Sequence, residues 1–283
     1  MFTLQEKNAF DYCTTMAKKH YENFPVGSLL IPKEKQPFIH AVYAFARTAD
    51  DFADELNFQG DRIQALDEWL EKLDQCYDGN PSEPIFIALA KTVETCNIPK
   101  QLLQDLIFAF KLDVLKNKHE SYEELLFYCK HSANPIGRLV LLIFGHQNKK
   151  WMEYSDAICT ALQLANFWQD ITVDIQKNRI YLPVNEMKKF GILKSELYKK
   201  TASEAFRALI KYQVERTQTL FDQGLPLCVQ VRPWRLAMEL KCVWQGGVKI
   251  LQKIQAQNYD VLKLRPTLSK FDFLGCAWRS LWM

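Results

Sequence analysis

Long runs of this chain set apolar residues three and four positions apart with charges between them, and almost nothing competes with that period. Arg62 to Tyr77, Gln101 to Leu115 and Ser203 to Phe221 each carry it, as an amphipathic helix requires. Glycines and prolines are few, 10 and 11, and most gather at Gly79-Asn80-Pro81, Asn97-Ile98-Pro99, Gly224-Leu225-Pro226 and Arg232-Pro233. There they read as breaks between helices, and Pro99 reads as a helix start. No alternating stretch bounded by an Asn-Gly type turn is present. No linker, repeat period or low-complexity segment divides the chain. The expectation is an all-α protein, with residues 1–283 forming one domain.

Charge and cysteine usage narrow the function classes. A net charge of +3 supplies no strong field for nucleic acid, and the short basic pairs Lys188-Lys189 and Lys199-Lys200 read as solvated helix faces. Eight cysteines are scattered without a CxxC pair or zinc-finger spacing. With no signal-peptide pattern, they point to reduced thiols in a cytoplasmic protein. The longest unbroken apolar stretch, Leu139 to Phe144, is far too short to span a bilayer. The chain is expected to be soluble, or to rest at most on the surface of the inner membrane.

Two aspartate-bearing segments lie among unusually apolar helical runs such as Ala133 to Phe144 and Ile158 to Phe167. In the run Tyr43 to Glu55, Asp50 and Asp54 are four apart and stack on one helix face, with Arg47 three residues before Asp50. In the run Gln163 to Asp174, Asn166, Asp170 and Asp174 recur every fourth residue, and Gln163 extends that stripe. One such pair alone is more often a solvated face. Two of them in apolar helices, each accompanied by an arginine, point instead to a bound cation, because buried acids are costly unless paired or coordinated. Oxygen ligands suit Mg²⁺, which keeps several waters and is commonly shared with substrate phosphates.

Other chemistries lack their sequence marks. There is no HExxH, the five histidines are not spaced as ligands, and Gly246-Gly247 lacks the Walker A or GxGxxG pattern. No GxSxG nucleophile motif occurs.

The chain resembles the squalene and phytoene synthase family, the head-to-head prenyl synthases, over nearly its whole length. Tyr43 to Glu55 resembles the family's first aspartate-rich motif. Gln163 to Asp174, with Arg179 to Pro183, resembles the second. Tyr128 to Gly137 resembles the tyrosine-bearing helix between them, His20 to Phe24 the N-terminal segment at the diphosphate end, and Tyr259 with Arg265 the C-terminal basic closure. The resemblance implies an isoprenoid synthase-type helical bundle with a central apolar cavity and a prenyl diphosphate substrate. Asp50, Asp54, Asn166, Asp170 and Asp174 would hold Mg²⁺. His20, Asn23, Phe24, Arg47, Gln163, Gln169, Arg179, Tyr259 and Arg265 would line the diphosphate end. Tyr43 and Tyr128 would sit beside the reacting carbons, with Phe24, Phe45, Phe167 and Trp168 adding aromatic lining.

Departures from the family pattern select a branch. Gln169 stands where the condensing synthases usually have an arginine, and Asn134-Pro135 replaces a glycine of the tyrosine helix. Together with the run Asn23 to Ser28 these resemble the bacterial hydroxysqualene synthase branch, which implies a lyase acting on presqualene diphosphate in hopanoid biosynthesis. Association with the enzyme that supplies presqualene diphosphate goes with that role. The alternatives are a squalene, dehydrosqualene or phytoene synthase, with NADPH use left open, and a non-catalytic assembly module, which should have lost its metal ligands. The segment Lys270 to Met283 mixes aromatics with Lys270 and Arg279 and reads equally as a membrane-interface contact or as a helix packed on the domain.

Overall fold

The computed structural model describes residues 2–19, 30–54 and 60–283, except for the side chain of Asp54. The helices are α1 (Leu4–Lys19), α2 (Gln36–Asp54), α3 (Arg62–Tyr77), α4 (Pro84–Cys96), α5 (Lys100–Leu115), α6 (Tyr122–Ser132), α7 (Asn134–Ile143), α8 (Lys149–Gln169), α9 (Ile171–Gln176), α10 (Val184–Lys189), α11 (Glu204–Gln230), α12 (Trp234–Ala256) and α13 (Lys270–Trp282). A short 3-10 turn spans Lys194–Tyr198. No strand occurs among the described residues, and one isolated parallel bridge joins Lys118 to Ile180. No described helix is long and apolar enough to cross a membrane. Backbone contacts divide the chain into two compact units, Met1–Leu115 with Pro135–Asn148, and Lys116–Asn134 with Lys149–Met283.

In the first unit α2 packs against α1, α3, α4 and α5. Its buried face carries Ile39, Val42, Tyr43, Phe45, Ala49 and Ala53, which leaves Arg47, Asp50 and Asp51 on the more open side. Phe45 stacks on Trp69 at 5.9 Å, and Trp69 meets Phe86 at 4.5 Å. Each such side chain stabilises the core by about 1.5–3 kcal/mol. Phe45 is fully buried in this aromatic core. The helix ends follow local chemistry. The Asp61 carboxylate accepts the Ile63 and Gln64 N–H groups at the start of α3, and Asn97 closes α4 in the left-handed region at φ 51°.

In the second unit α8 packs on α6, α11 and α12, and α12 packs on α13. The sequence reads Gly224-Leu225-Pro226 as a break, whereas α11 runs through it without interruption. The reason is a close helix approach. A Cβ on Gly224 would meet the Tyr154 carbonyl oxygen at 2.8 Å and collide with the Ile158 side chain, both on α8. Glycine is therefore needed there for the approach of α11 to α8, which overrides its cost inside a helix. Trp168 is fully buried, and its indole N–H donates to Thr217 Oγ1 on α11 at 2.9 Å.

Candidate active site

On α2, Arg47 bridges two carboxylates. Its Nη1 lies 3.3 Å from Asp50 and its Nη2 lies 2.5 Å from Asp51. These are the i,i+3 and i,i+4 contacts that helical spacing produces, so the arginine does share the face of Asp50. The second partner, Asp51, was not singled out from the sequence. Tyr43, on the same helix, is buried and clusters with Ala17 of α1.

The second aspartate segment is not one straight helix. α8 ends at Gln169, Asp170 sits at the junction with φ −105° and ψ 13°, and α9 starts at Ile171. The four-residue spacing nevertheless survives, because Asp170 N–H donates to the Asn166 carbonyl at 2.9 Å and Asp174 N–H to the Asp170 carbonyl at 2.8 Å. Asn166 Nδ2 also donates to Asp170 Oδ2 at 3.0 Å, so these two side chains of the sequence stripe are neighbours. Gln163, Asp170 and Asp174 are half-buried and Asn166 is exposed, while Leu164, Ala165, Phe167 and Trp168 face the interior.

The C-terminal segment closes on this stripe. Arg265 Nε donates to Asp170 Oδ1, and its Nη2 donates to Oδ2 at 3.1 Å. The hydrogen bonds and charge of Asp170, with Asp174 adding, hold the guanidinium above its ordinary range. Gln169 holds the neighbouring backbone, its amide donating to the Pro266 carbonyl at 2.7 Å. Gln169 thus binds the loop that delivers Arg265. Asn134, the other departure, is buried and accepts a hydrogen bond from Thr160 Oγ1 of α8 at 2.9 Å.

An aromatic wall stands in the same unit. Phe167 stacks on Tyr181 at 3.7 Å with the rings 10° apart. Tyr128, buried on α6, lies 6.1 Å from each of them. His119 completes the group, 5.4 Å from Tyr128 and 5.7 Å from Tyr181. Its backbone is fixed by the Val184 N–H, which donates to the His119 carbonyl at 3.0 Å. The imidazole is buried and Nδ1 has no hydrogen-bond partner among the described residues. Burial lowers its pKa from the usual imidazole range, with Glu124 opposing and Lys116 adding to the fall. The ring is therefore neutral near neutral pH.

With this geometry in view, the comparisons with known proteins are decisive. The family model described as squalene/phytoene synthase matches residues 17–272. The chain belongs to the squalene/phytoene synthase family. Among its curated relatives, a hydroxysqualene synthase of Rhodopseudomonas palustris is 31% identical over 89% of this chain and 85% of its own. A chloroplastic phytoene synthase of Daucus carota is 29% identical over 93% of this chain and 67% of its own. The crystal structure of squalene synthase HpnC from Alicyclobacillus acidocaldarius superimposes with a TM-score of 0.86 at 40% identity, covering 91% of this chain and 97% of that one. The all-α architecture is that of these squalene synthase-type folds.

As a squalene/phytoene synthase family member, the chain brings together Asn166, Asp170, Gln169 and Arg265. Arg179 is tied to the same segment through its N–H, which donates to the Asp174 carbonyl at 2.9 Å. Tyr259 occupies a left-handed turn at φ 58° and makes no hydrogen bond to the aspartate stripe among the described residues. His20, Asn23, Phe24 and the run to Ser28 lie outside the described residues. Among the described residues no three His, Cys, Asp or Glu side chains converge on a metal position. The α8–α9 stripe still offers an oxygen-only set of two carboxylates and an amide. That fits Mg²⁺, which is often held by one or two carboxylates and completes its shell with water and phosphate. His119 was missed because nothing in its local sequence distinguishes it. Only the folded segment Lys118 to Ile180 brings it beside Tyr128.

Proposed function

We propose that this chain is a Mg²⁺-dependent hydroxysqualene synthase, converting presqualene diphosphate and water to hydroxysqualene and diphosphate. The observation that carries this reading is the Gln169 amide bound to the Pro266 carbonyl, beside the Arg265 fork on Asp170. With Gln169 neutral and engaged by the backbone, position 169 adds no cation beside Arg265, which suits one diphosphate rather than the two of a condensing reaction. The name of the Rhodopseudomonas palustris relative supports the same choice.

In this mechanism Asn166, Asp170 and Asp174 would hold the metal, and the family resemblance gives Asp50 and Asp54 of the first motif the same role. Mg²⁺, when bound, neutralises the diphosphate and eases its departure. Arg265 exchanges its fork on Asp170 for phosphate oxygens, which present the same bidentate geometry. The leaving C–O bond breaks with its electron pair going to the diphosphate oxygen. The cyclopropylcarbinyl cation then rearranges beside the Tyr128, Phe167 and Tyr181 rings, whose faces stabilise positive charge, and the family resemblance gives Tyr43 a like role. Their burial keeps bulk water away. One water adds to the rearranged cation. A C–O bond forms, a water O–H bond breaks, and the proton passes to the neutral His119 imidazole beside Tyr128.

The test is purified protein with Mg²⁺, offered presqualene diphosphate and farnesyl diphosphate separately, with and without NADPH, and products weighed by mass spectrometry. Hydroxysqualene from presqualene diphosphate without NADPH is the expected result. Consumption of farnesyl diphosphate to a condensed product would overturn the lyase reading.

A further inference from the structure

Arg265 reaches Asp170 from an irregular segment that follows α12, and residues outside the aspartate stripe pin that segment along its length. Just before it, Asn258 and Tyr259 both take left-handed backbone, at φ 52° and 58°. Non-glycine residues adopt that conformation only where their surroundings hold them in it. The holding group is Asp260, a carboxylate only 4% exposed. Its Oδ1 accepts the Ala202 N–H at 3.1 Å and the Lys263 N–H at 3.2 Å, and its Oδ2 accepts Arg207 Nη2 of α11 at 3.0 Å. The same guanidinium donates from Nη1 to the Asn258 carbonyl at 3.0 Å and from Nε to the Ala202 carbonyl at 3.4 Å. Arg207 therefore grips both stretches of chain that meet at Asp260. Val261 and Leu262, next in sequence, are buried. Beyond them the carbonyls on either side of Arg265 are each held by a glutamine amide. Gln257 Nε2 donates to the Leu264 carbonyl at 3.1 Å, and Gln169 Nε2 to the Pro266 carbonyl at 2.7 Å.

We infer that Asp260 and Arg207 are positioning residues for Arg265, fixing the backbone that aims its guanidinium at Asp170 and, in turnover, at the diphosphate. The inference rests on the role given to Arg265 above and deepens it. The Arg265 side chain is 43% exposed, so little packing holds the guanidinium itself, and its aim depends on the backbone beneath it. A planar fork rewards correct orientation, and a misplacement of about 1 Å at a reacting group can cost as much as a lost contact. The buried ion pair has no comparable use as a source of stability, since apolar packing of the same volume does as well. What the pair supplies is one conformation. Every donor to Asp260 comes from its own segment or from the start of α11 and the residue before its cap, so the carboxylate ties the Arg265 segment to a long, rigid helix.

The experiment uses Asp260→Asn, which keeps an oxygen for the two backbone N–H groups and removes the ion pair. Arg207→Lys, at a partly exposed position, is the second variant and keeps the charge while losing the fork. Each is made alone and in the Arg265→Gln background. The measurements are Mg²⁺ affinity by calorimetry without substrate, hydrogen exchange of the 261–266 backbone by mass spectrometry, and kcat/KM with presqualene diphosphate. Made alone, each variant should loosen Arg265 and so release Asp170. Mg²⁺ should then bind roughly threefold more tightly, exchange should rise across the segment, and kcat/KM should fall roughly threefold to tenfold. In the Arg265→Gln background neither metal affinity nor kcat/KM should change further, whereas the melting temperature should drop as much as before. An equal loss of kcat/KM in both backgrounds is what a merely structural role would give, and it would overturn the inference. So would wild-type metal affinity and exchange in both single variants. The titration and the exchange need no substrate, so failure of the hydroxysqualene assignment would leave their outcome intact.

Discussion

Replacing Arg265 with glutamine should strengthen Mg²⁺ binding to the substrate-free protein while weakening catalysis. Both oxygens of Asp170 are occupied, Oδ1 by Arg265 Nε and Oδ2 by Arg265 Nη2 at 3.1 Å and Asn166 Nδ2 at 3.0 Å. A metal ion must compete with that guanidinium for the carboxylate. Two unit charges about 4 Å apart interact by about 1 kcal/mol in water and about 4 kcal/mol at an effective dielectric of about 20. Arg265 is 43% exposed, so screening brings the contribution to the lower end, about 1 kcal/mol. Removing it should tighten the Mg²⁺ dissociation constant roughly fivefold, read by titration calorimetry without substrate. A charge-assisted hydrogen bond to the departing diphosphate is worth about 1.5–3 kcal/mol, so kcat/KM should fall by roughly tenfold to a hundredfold. Arg265→Lys keeps the charge and loses the fork, so its metal affinity should stay near wild type. Unchanged or weaker Mg²⁺ binding in Arg265→Gln, with turnover retained, would refute the reasoning. Opposite signs for the two quantities also separate this effect from general damage to the fold.

Other consequences are as specific. Thr217→Val is nearly isosteric but leaves the fully buried Trp168 N–H without its acceptor. It should lose about 1–3 kcal/mol in denaturant melts, and a change under about 0.5 kcal/mol would show that the bond contributes nothing. Gly224→Ala places a methyl group against the Tyr154 carbonyl, so it should destabilise by about 1–3 kcal/mol although alanine is the better helix former. His119→Phe preserves the ring contacts and removes the base. Diphosphate release should continue while the alcohol gives way to products of other cation fates, and an unchanged product would remove His119 from the mechanism. Burial pushes the Cys13, Cys76 and Cys228 thiols up to about 12 from 9.0. The folded state thus keeps protons that the unfolded chain releases first. Stability should be fully present below about pH 9 and fall between about pH 9 and about pH 12, by about 1.4 kcal/mol per pH unit for each thiol. Replacing these cysteines with alanine should flatten that fall in melts taken across the range.

Local chemistry was readable directly from the chain, and contacts across the fold were not. The period of three and four places α3 at Arg62–Tyr77, the same bounds the structure gives, because that helix is defined by its own buried stripe of Leu66, Trp69, Leu73 and Cys76. Gly224 misleads for the opposite reason. Its neighbours in sequence suggest a turn, but its role is set by Tyr154 and Ile158, some seventy positions earlier. The bend at Asp170 is invisible to periodicity as well, since the four-residue hydrogen bonds continue through it.

The candidate site divides along the same line. Arg47 and Asp50 are neighbours on one helix, so their pairing followed from spacing alone. Arg265 and Asp170 lie 95 positions apart, and no pattern within the chain links them. Only the resemblance to the family suggested that Arg265 returns to the diphosphate end. Gln169 shows what the structure adds. The resemblance reads it as the place of a missing arginine, whereas the fold gives it a backbone partner, the Pro266 carbonyl, next to Arg265. The neutral side chain therefore anchors the loop that carries the cation. Gln169→Ala should loosen Arg265 and lower turnover even though glutamine itself carries no charge, and Gln169→Arg should not restore it, because the longer side chain cannot replace the amide at Pro266 without displacing the loop.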